Sequence, residues 1–266
     1  MPRCGKNDVM DLLTTSDGVS IAYHTFWSPT PVPGLPPVVL QHGFAADSEA
    51  NWLRPGVVDA LLAAGRNVIA VDARGHGLSD KPHDPAFYGE SRMADDLSEL
   101  FTALGFAEVD LVGYSMGGIV SLVLASQDHR VRRLIAGGIG AGVVEMGGVD
   151  SRQIELAALA AALRADDASS ITNPVAKSFR MFAESTGADR FALAAQAESV
   201  HQGSIPLERI TARALVLVGD ADPLAVRPHV LANAIPGALF CVIPGDHLGA
   251  VGAAEFAPTI VQFLGE

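Results

Sequence analysis

One serine stands between paired glycines in the run Gly113-Tyr114-Ser115-Met116-Gly117-Gly118. A serine hydroxyl is a poor nucleophile at neutral pH. It needs a base within hydrogen-bond reach, an acid that orients the base, and N–H donors where an attacked carbonyl gathers negative charge. The G-x-S-x-G pattern alone is weak evidence, because 27 of the 266 residues are glycine. Its surroundings strengthen it. Val109, Asp110, Leu111 and Val112 read as a buried strand, and residues 117–126 have the length and composition of a buried helix. A serine at such a strand-to-helix junction occupies a sharp turn beside a helix N-terminus, where negative charge is stabilised.

The best base is His247, in Pro244-Gly245-Asp246-His247-Leu248-Gly249, just past the last predicted strand and before the last helix. The carboxyl end of a parallel sheet is where sites form in open α/β folds. Position sets His247 above His24, His83, His129, His201 and His229. The best acid is Asp222, in Gly219-Asp220-Ala221-Asp222-Pro223, with Asp220 as runner-up. Asp246 adjoins His247, so its side chain should point elsewhere. For an oxyanion, the Met116 amide follows the nucleophile directly, and the Phe44 amide in His42-Gly43-Phe44 is the second candidate donor. His42 reads as structural.

These blocks, together with Asp72-Ala73-Arg74-Gly75-His76-Gly77-Leu78-Ser79, resemble the α/β-hydrolase-fold family, in its single-lid esterase, lactonase and haloperoxidase-like branch. They run from residue 42 to 249 in the family's order Ser…Asp…His. The resemblance implies a mostly parallel central sheet flanked by helices, with catalytic Ser115, Asp222 and His247. It also implies that block 72–79 shapes the loop after its strand and braces the serine turn, with Asp72 and Arg74 as a buried ion pair and His76 structural. The block is not a phosphate loop, because it lacks G-x-G-x-x-G. Relatives that open halides or epoxides carry aspartate where this chain has Ser115, so serine points to acyl chemistry.

Elements that could position these residues alternate along the chain. Residues 19–27, 38–41, 67–71, 109–112, 133–136, 214–218 and 239–243 read as strands. Residues 28–37 hold five prolines and read as a loop. Residues 52–64, 91–104 and 256–264 read as helices. In helix 91–104, Met93, Leu97, Leu100, Phe101 and Leu104 share a face, while Asp95, Asp96 and Glu99 fall largely off it. Strands alternating with helices imply parallel βαβ units. Residues 140–208 break the rhythm, with helices and no convincing strand. Asp150, Asn173 and Asp189 are candidate N-caps there, with Pro174 at a first helical position. The expected division is a core of residues 1–139 and 209–266 and a helical lid of residues 140–208. The alanines within 157–162 reflect helix propensity.

Composition narrows the partners. Hydrophobic residues make up 49% of the chain and the formal net charge is −12. Such acidity repels nucleic acid and anionic membranes. No apolar run approaches a membrane span, and residues 1–6 lack the apolar stretch of a secretory signal. Cys4 and Cys241 read as reduced thiols of a cytoplasmic protein, and no Cys/His spacing suggests a metal. No cofactor is implied, and the sequence carries no sign of a homo-oligomer.

The expected activity is hydrolysis of a small to medium neutral ester or lactone through an acyl-enzyme. Specificity would come from the lid, whose larger apolar side chains are Met146, Leu156, Leu159, Leu163, Phe179, Met181, Phe182, Phe191 and Leu193. Phe44, Phe179 and Phe182 are the candidate substrate contacts. Arg152, Lys177, Arg180 and Arg190 could reach a carboxylate. The alternatives are a C–C hydrolase of ring-cleavage products, which needs a cationic or polar anchor; a cofactor-free perhydrolase; and a ligand-binding signalling protein with little turnover.

Overall fold

The computed structural model describes residues 8–266. Cys4 and the stretch read against a secretory signal lie outside the described residues. Eight strands form one sheet: β1 (Asp8–Thr14), β2 (Ser20–Phe26), β3 (Val38–Gln41), β4 (Val68–Val71), β5 (Val109–Tyr114), β6 (Val131–Gly137), β7 (Arg213–Gly219) and β8 (Leu239–Ile243). Their spatial order is β1-β2-β4-β3-β5-β6-β7-β8. β1 and β2 pair antiparallel, as do β2 and β4, and every later pairing is parallel. β3, β4 and β5 are buried at every position, as strands covered on both faces must be. The chain leaves β3 toward β4 on one side and returns to β5 on the other. Ligands bind outside such a switch point in open α/β sheets, and here the loops after β3 and β5 carry Phe44 and Ser115.

On one face lie α2 (Glu90–Ala103), α3 (Met116–Ala125) and α8 (Pro228–Ala234), with Leu100, Ile119 and Leu231 in one apolar cluster. On the other lie α1 (Val57–Ala63) and α9 (Phe256–Gly265), with Leu61, Trp52 and Ile260. Between β6 and β7 the chain inserts α4 (Gly142–Met146), α5 (Leu156–Arg164), α6 (Pro174–Thr186) and α7 (Arg190–Ala197). This helical layer has a core of its own, in which Leu159, Leu163 and Leu193 pack with Ala160, Ala183 and Ala194. The alanines of α5 therefore do more than favour helix: their small side chains form part of that core. Asn173 and Asp189 cap α6 and α7 as expected, accepting the amides of Ala176 and of Phe191 and Ala192.

Several expectations fail for local reasons. The helix expected over 52–64 is split into a π-helical turn at Glu49–Leu53 and α1. Pro55 lacks an N–H, and Gly56 has φ +81°, so the hydrogen-bond ladder breaks there. Asp150 begins no helix; its carboxylate instead holds the Arg152 amide and guanidinium. Asp96 is buried rather than lying off the α2 core face, and Arg74 is the cause. Arg74 pairs with Asp96 at 2.5 and 2.8 Å and with Asp17 at 2.9 Å, so the expected Asp72–Arg74 pair does not form. β1 was not expected, because Val9, Met10 and Leu12 do not alternate; it is an edge strand with those side chains exposed.

Candidate active site

Ser115 sits between β5 and α3 at φ 55°, ψ −118°. A non-glycine residue held there is strained by about 1–3 kcal/mol. Its neighbours impose the turn. A Cβ at Gly113 would lie 2.1 Å from the Gly117 carbonyl oxygen, and one at Gly117 would lie 2.1 Å from the Gln41 carbonyl oxygen. Gly113 lets α3 fold back tightly on β5, and Gly117 lets it begin directly against the end of β3. The Ser115 amide donates to the Gly137 carbonyl at 2.8 Å, which ties the turn to β6.

Ser115 Oγ lies 2.9 Å from His247 Nε2, and His247 Nδ1 lies 2.8 and 3.0 Å from the Asp222 carboxylate oxygens. Asp222 only accepts, so Nδ1 carries the ring proton and Nε2 is free to receive one from Ser115. Asp222 Oδ1 also takes the amides of Leu224 and Ala225, which fixes the carboxylate behind the ring. Asp220, the runner-up, is occupied with the Gly245 amide at 2.9 Å, and Asp246 accepts the Gly249 amide. Both brace the loop that holds His247. Tyr114 donates its buried hydroxyl to the His247 carbonyl at 2.6 Å, so the residue before the serine also anchors the histidine's backbone. Sequence reasoning missed this tie; an aromatic in the G-x-S-x-G run was its one signal.

Phe44 and Met116 line the cavity at Ser115, and among the described residues neither amide donates to a protein acceptor. The Phe44 loop is pinned by the Gly43 amide on Asn51 Oδ1 at 3.0 Å and by the Phe44 ring on edge to Phe179. Behind it stand His42 and His76, fully buried with ring centroids 5.0 Å apart. His42 Nε2 accepts the Ala73 amide and its Nδ1–H donates to the Gly43 carbonyl. His76 Nε2 accepts the Ala45 amide and its Nδ1–H donates to the Arg74 carbonyl. Both are struts of the loop. Asp72 accepts the Ser48 and Leu78 amides. Burial opposes its charge, but His24, His42 and those amides outweigh it and hold the carboxyl well below the usual range.

The two rings carry a stability prediction. Burial lowers His76 to about 3, with the His42 ring adding to the shift, and burial also lowers His42. Their folded values lie below the unfolded value of about 6.5, so below that pH the unfolded chain binds more protons. Stability is full above about pH 6.5 and is lost as the pH falls toward 3. For His76 this amounts to about 1.4 kcal/mol per pH unit inside that window, and His42 acts in the same direction. Urea unfolding at pH 7, 6 and 5 should show this decline; unchanged stability down to pH 5 would contradict it.

Two cavities meet at Ser115 and His247. The inner one is lined by Met116, Ile139, Leu159, Leu224, Glu90 and Gln196 among others. The outer one is lined by Asn51, Pro55, Phe182 and Leu248. Phe44 and Phe179 border both, so the three expected aromatic contacts all face the serine. The expected lid side chains divide. Leu156 and Leu159 join Phe179 at the inner cavity, Leu163 and Leu193 are buried in the helical layer, and Met181 and Phe191 are exposed. The expected cations do not reach the site. Arg180 binds the carbonyls of Ala162 and Ala165, Arg190 those of Leu163 and Ala165, and Arg152 pairs with Asp150 and Glu145. Lys177 is exposed on α6 and lines neither cavity. Glu90 and Gln196 were not singled out from sequence: one reads as a first-turn acid of a helix, the other as a polar residue of the insertion. Among the described residues, no cluster of His, Cys, Asp or Glu is placed to hold a metal ion.

Comparison with known proteins agrees with this fold. The family model described as the alpha/beta hydrolase fold matches residues 36–151. The 2-hydroxy-6-oxo-2,4-heptadienoate hydrolase of Pseudomonas putida is 38% identical over 117 residues, 43% of this chain and 42% of that protein. The chain thus matches less than half the length of this curated relative. A hydrolase from Pseudomonas aeruginosa PA01 superposes with TM-score 0.74 at 27% identity, covering 97% of this chain and 98% of that one. An esterase from Exiguobacterium antarcticum superposes with TM-score 0.77 at 24% identity, covering 97% and 100%.

Proposed function

We propose that the chain, which has the α/β-hydrolase fold, is a serine hydrolase of small to medium neutral carboxylic esters or lactones. The observation that carries the reading is the unbroken relay Ser115–His247–Asp222 at 2.9 and 2.8 Å, opening on two cavities. His247 Nε2 takes the Ser115 proton as Oγ attacks the substrate carbonyl. The Phe44 and Met116 amides receive the oxyanion, and each such donor is worth about 2.7–4 kcal/mol. The imidazolium, stabilised by Asp222, protonates the leaving oxygen. Water then attacks the acyl-enzyme with His247 again as base, and Ser115 is released. Residues 140–208 act as the lid that shapes the cavity over the serine.

Bond type follows from charge. A C–C hydrolase acting on a dienone acid must hold a carboxylate. No Lys or Arg lines the inner cavity, whereas the carboxyl of Glu90 does. That favours an uncharged ester or lactone. No helix among the described residues is long and apolar enough to cross a membrane. Cys241 is a free thiol, in keeping with a cytoplasmic enzyme that acts on a small molecule, without nucleic acid or membrane.

Steady-state assays on p-nitrophenyl acetate and butyrate and on simple lactones test the proposal. Rapid multiple turnover is expected. Tight binding without turnover would point to a ligand-binding signalling protein, and activity confined to added peroxide and acetate would point to a perhydrolase.

A further inference from the structure

Three polar side chains line the inner cavity without a role in the chemistry above, and one of them, Asp150, is taken up by Arg152. Glu90, the first residue of α2, and Gln196, on α7, are each only 1% exposed. The Gln196 amide nitrogen donates to Met116 Sδ at 2.6 Å. A thioether accepts and cannot donate, so the nitrogen belongs on the sulfur and Oε1 is left without a partner. A buried, unpaired carbonyl is costly and calls for an explanation. Glu90 Oε2 accepts the His201 amide. Burial nonetheless raises the Glu90 carboxyl above its usual range, and no cation lines the cavity to offset it. Gln196 Oε1 accepts one hydrogen bond, and a carboxyl that burial biases toward its protonated form can donate one. A hydroxyl group satisfies both at once. A substrate carboxylate would meet an acid, and a charged amine would lose its water among Ile119, Ile139 and Leu159.

We propose that the inner cavity receives an acyl chain bearing a hydroxyl, held between Gln196 Oε1 and the Glu90 carboxyl, and that these residues set the substrate preference of the Ser115 site. The inference rests on the serine-hydrolase reading. Glu90 and Gln196 line the same cavity as Ser115, and the inference places in it the acyl group that stays on the enzyme. Lactones lead to the same species. Attack by Ser115 breaks the ring C–O bond, His247 gives its proton to the leaving oxygen, and the resulting hydroxyl remains tethered in the acyl-enzyme. The cavity then holds that hydroxyl away from the ester carbonyl, which disfavours ring closure back to the lactone.

The test compares kcat/KM for p-nitrophenyl butyrate with 3-hydroxybutyrate, and for hexanoate with 6-hydroxyhexanoate, in the wild-type protein and in Gln196→Leu, Gln196→Met and Glu90→Leu. A site built around a substrate hydroxyl discriminates strongly against the analogue that lacks it. The wild type should favour at least one hydroxyacyl ester by about tenfold or more, and each folded variant should lower that ratio about tenfold. Absence of a wild-type preference overturns the inference, whether or not the variants fold. So does an unchanged ratio in folded variants, or a preference for the 4-aminobutyryl ester. Labelling of Ser115 by a phosphonate, run in parallel, separates the two readings. Labelled protein that turns over butyrate without hydroxyl preference sinks this inference alone; unlabelled, inactive protein sinks the serine-hydrolase reading and this one with it.

Discussion

Asp222→Asn should lower kcat about 10⁴-fold while leaving the fold intact. The amide keeps an oxygen for the Leu224 and Ala225 amides that Asp222 now accepts. It then turns an N–H toward His247 Nδ1. That nitrogen can no longer carry the ring proton, so the proton moves to Nε2, which cannot then take one from Ser115. The failure is one of tautomer and not of packing, and near-wild-type unfolding curves should separate the two. Ser115→Ala and His247→Ala should each cost more, about 10⁵–10⁶-fold, and the double variant little more than either. Independent, additive losses would mean that the three groups do not act as a unit.

Gly117→Ala should have a large structural effect for a single added methyl in the serine turn. The added carbon would lie 2.1 Å from the Gln41 carbonyl oxygen and 2.6 Å from that of His42. Both are backbone atoms at the end of β3, so no side chain can swing aside. α3 must retreat from the strand, which should cost about 3 kcal/mol or more and lower Tm by roughly 10 °C. The same retreat separates the Met116 amide from the Phe44 amide, so residual activity should fall further than stability. Gly265→Ala, with open space at its Cβ, is the control and should change stability by less than about 0.5 kcal/mol. Equal effects of the two substitutions would show that the close approach at Gly117 is not what sets the turn.

The parts of this architecture that were legible in sequence are those where one residue type answers one physical demand. Short β-branched runs bounded by glycine and proline mark the parallel strands. Glycine at 113 and 117, and acid and histidine at the ends of β7 and β8, mark the residues that the structure brings together. What escaped depends on choices among equivalent partners. Arg74 had Asp72 two positions away, but its guanidinium reaches Asp96 and Asp17, brought within range only by the packing of α2 and the loop at residues 15–19. The lid arginines look available in sequence. Helix ends in the folded layer leave carbonyls at residues 162, 163 and 165 that claim two of them. Glu90 and Gln196 could not be paired from sequence, because 105 residues, including β5, α3 and β6, separate them and neither sits in a motif. β1 lacks alternation because neither of its faces is covered there: Val9, Met10 and Leu12, which point to opposite faces of the sheet edge, are all exposed.

The most direct measurement of the central claim is covalent trapping at the serine. Folded protein treated with a p-nitrophenyl phosphonate should gain one phosphonyl group per chain, and peptide mapping should place it on Ser115. Pre-incubation with a slowly hydrolysed ester substrate should protect it, and His247→Ala should label at least about 10³-fold more slowly, because Oγ then keeps its proton. A label on any other residue, or none in protein shown to be folded, would contradict the assignment of Ser115 as the activated nucleophile.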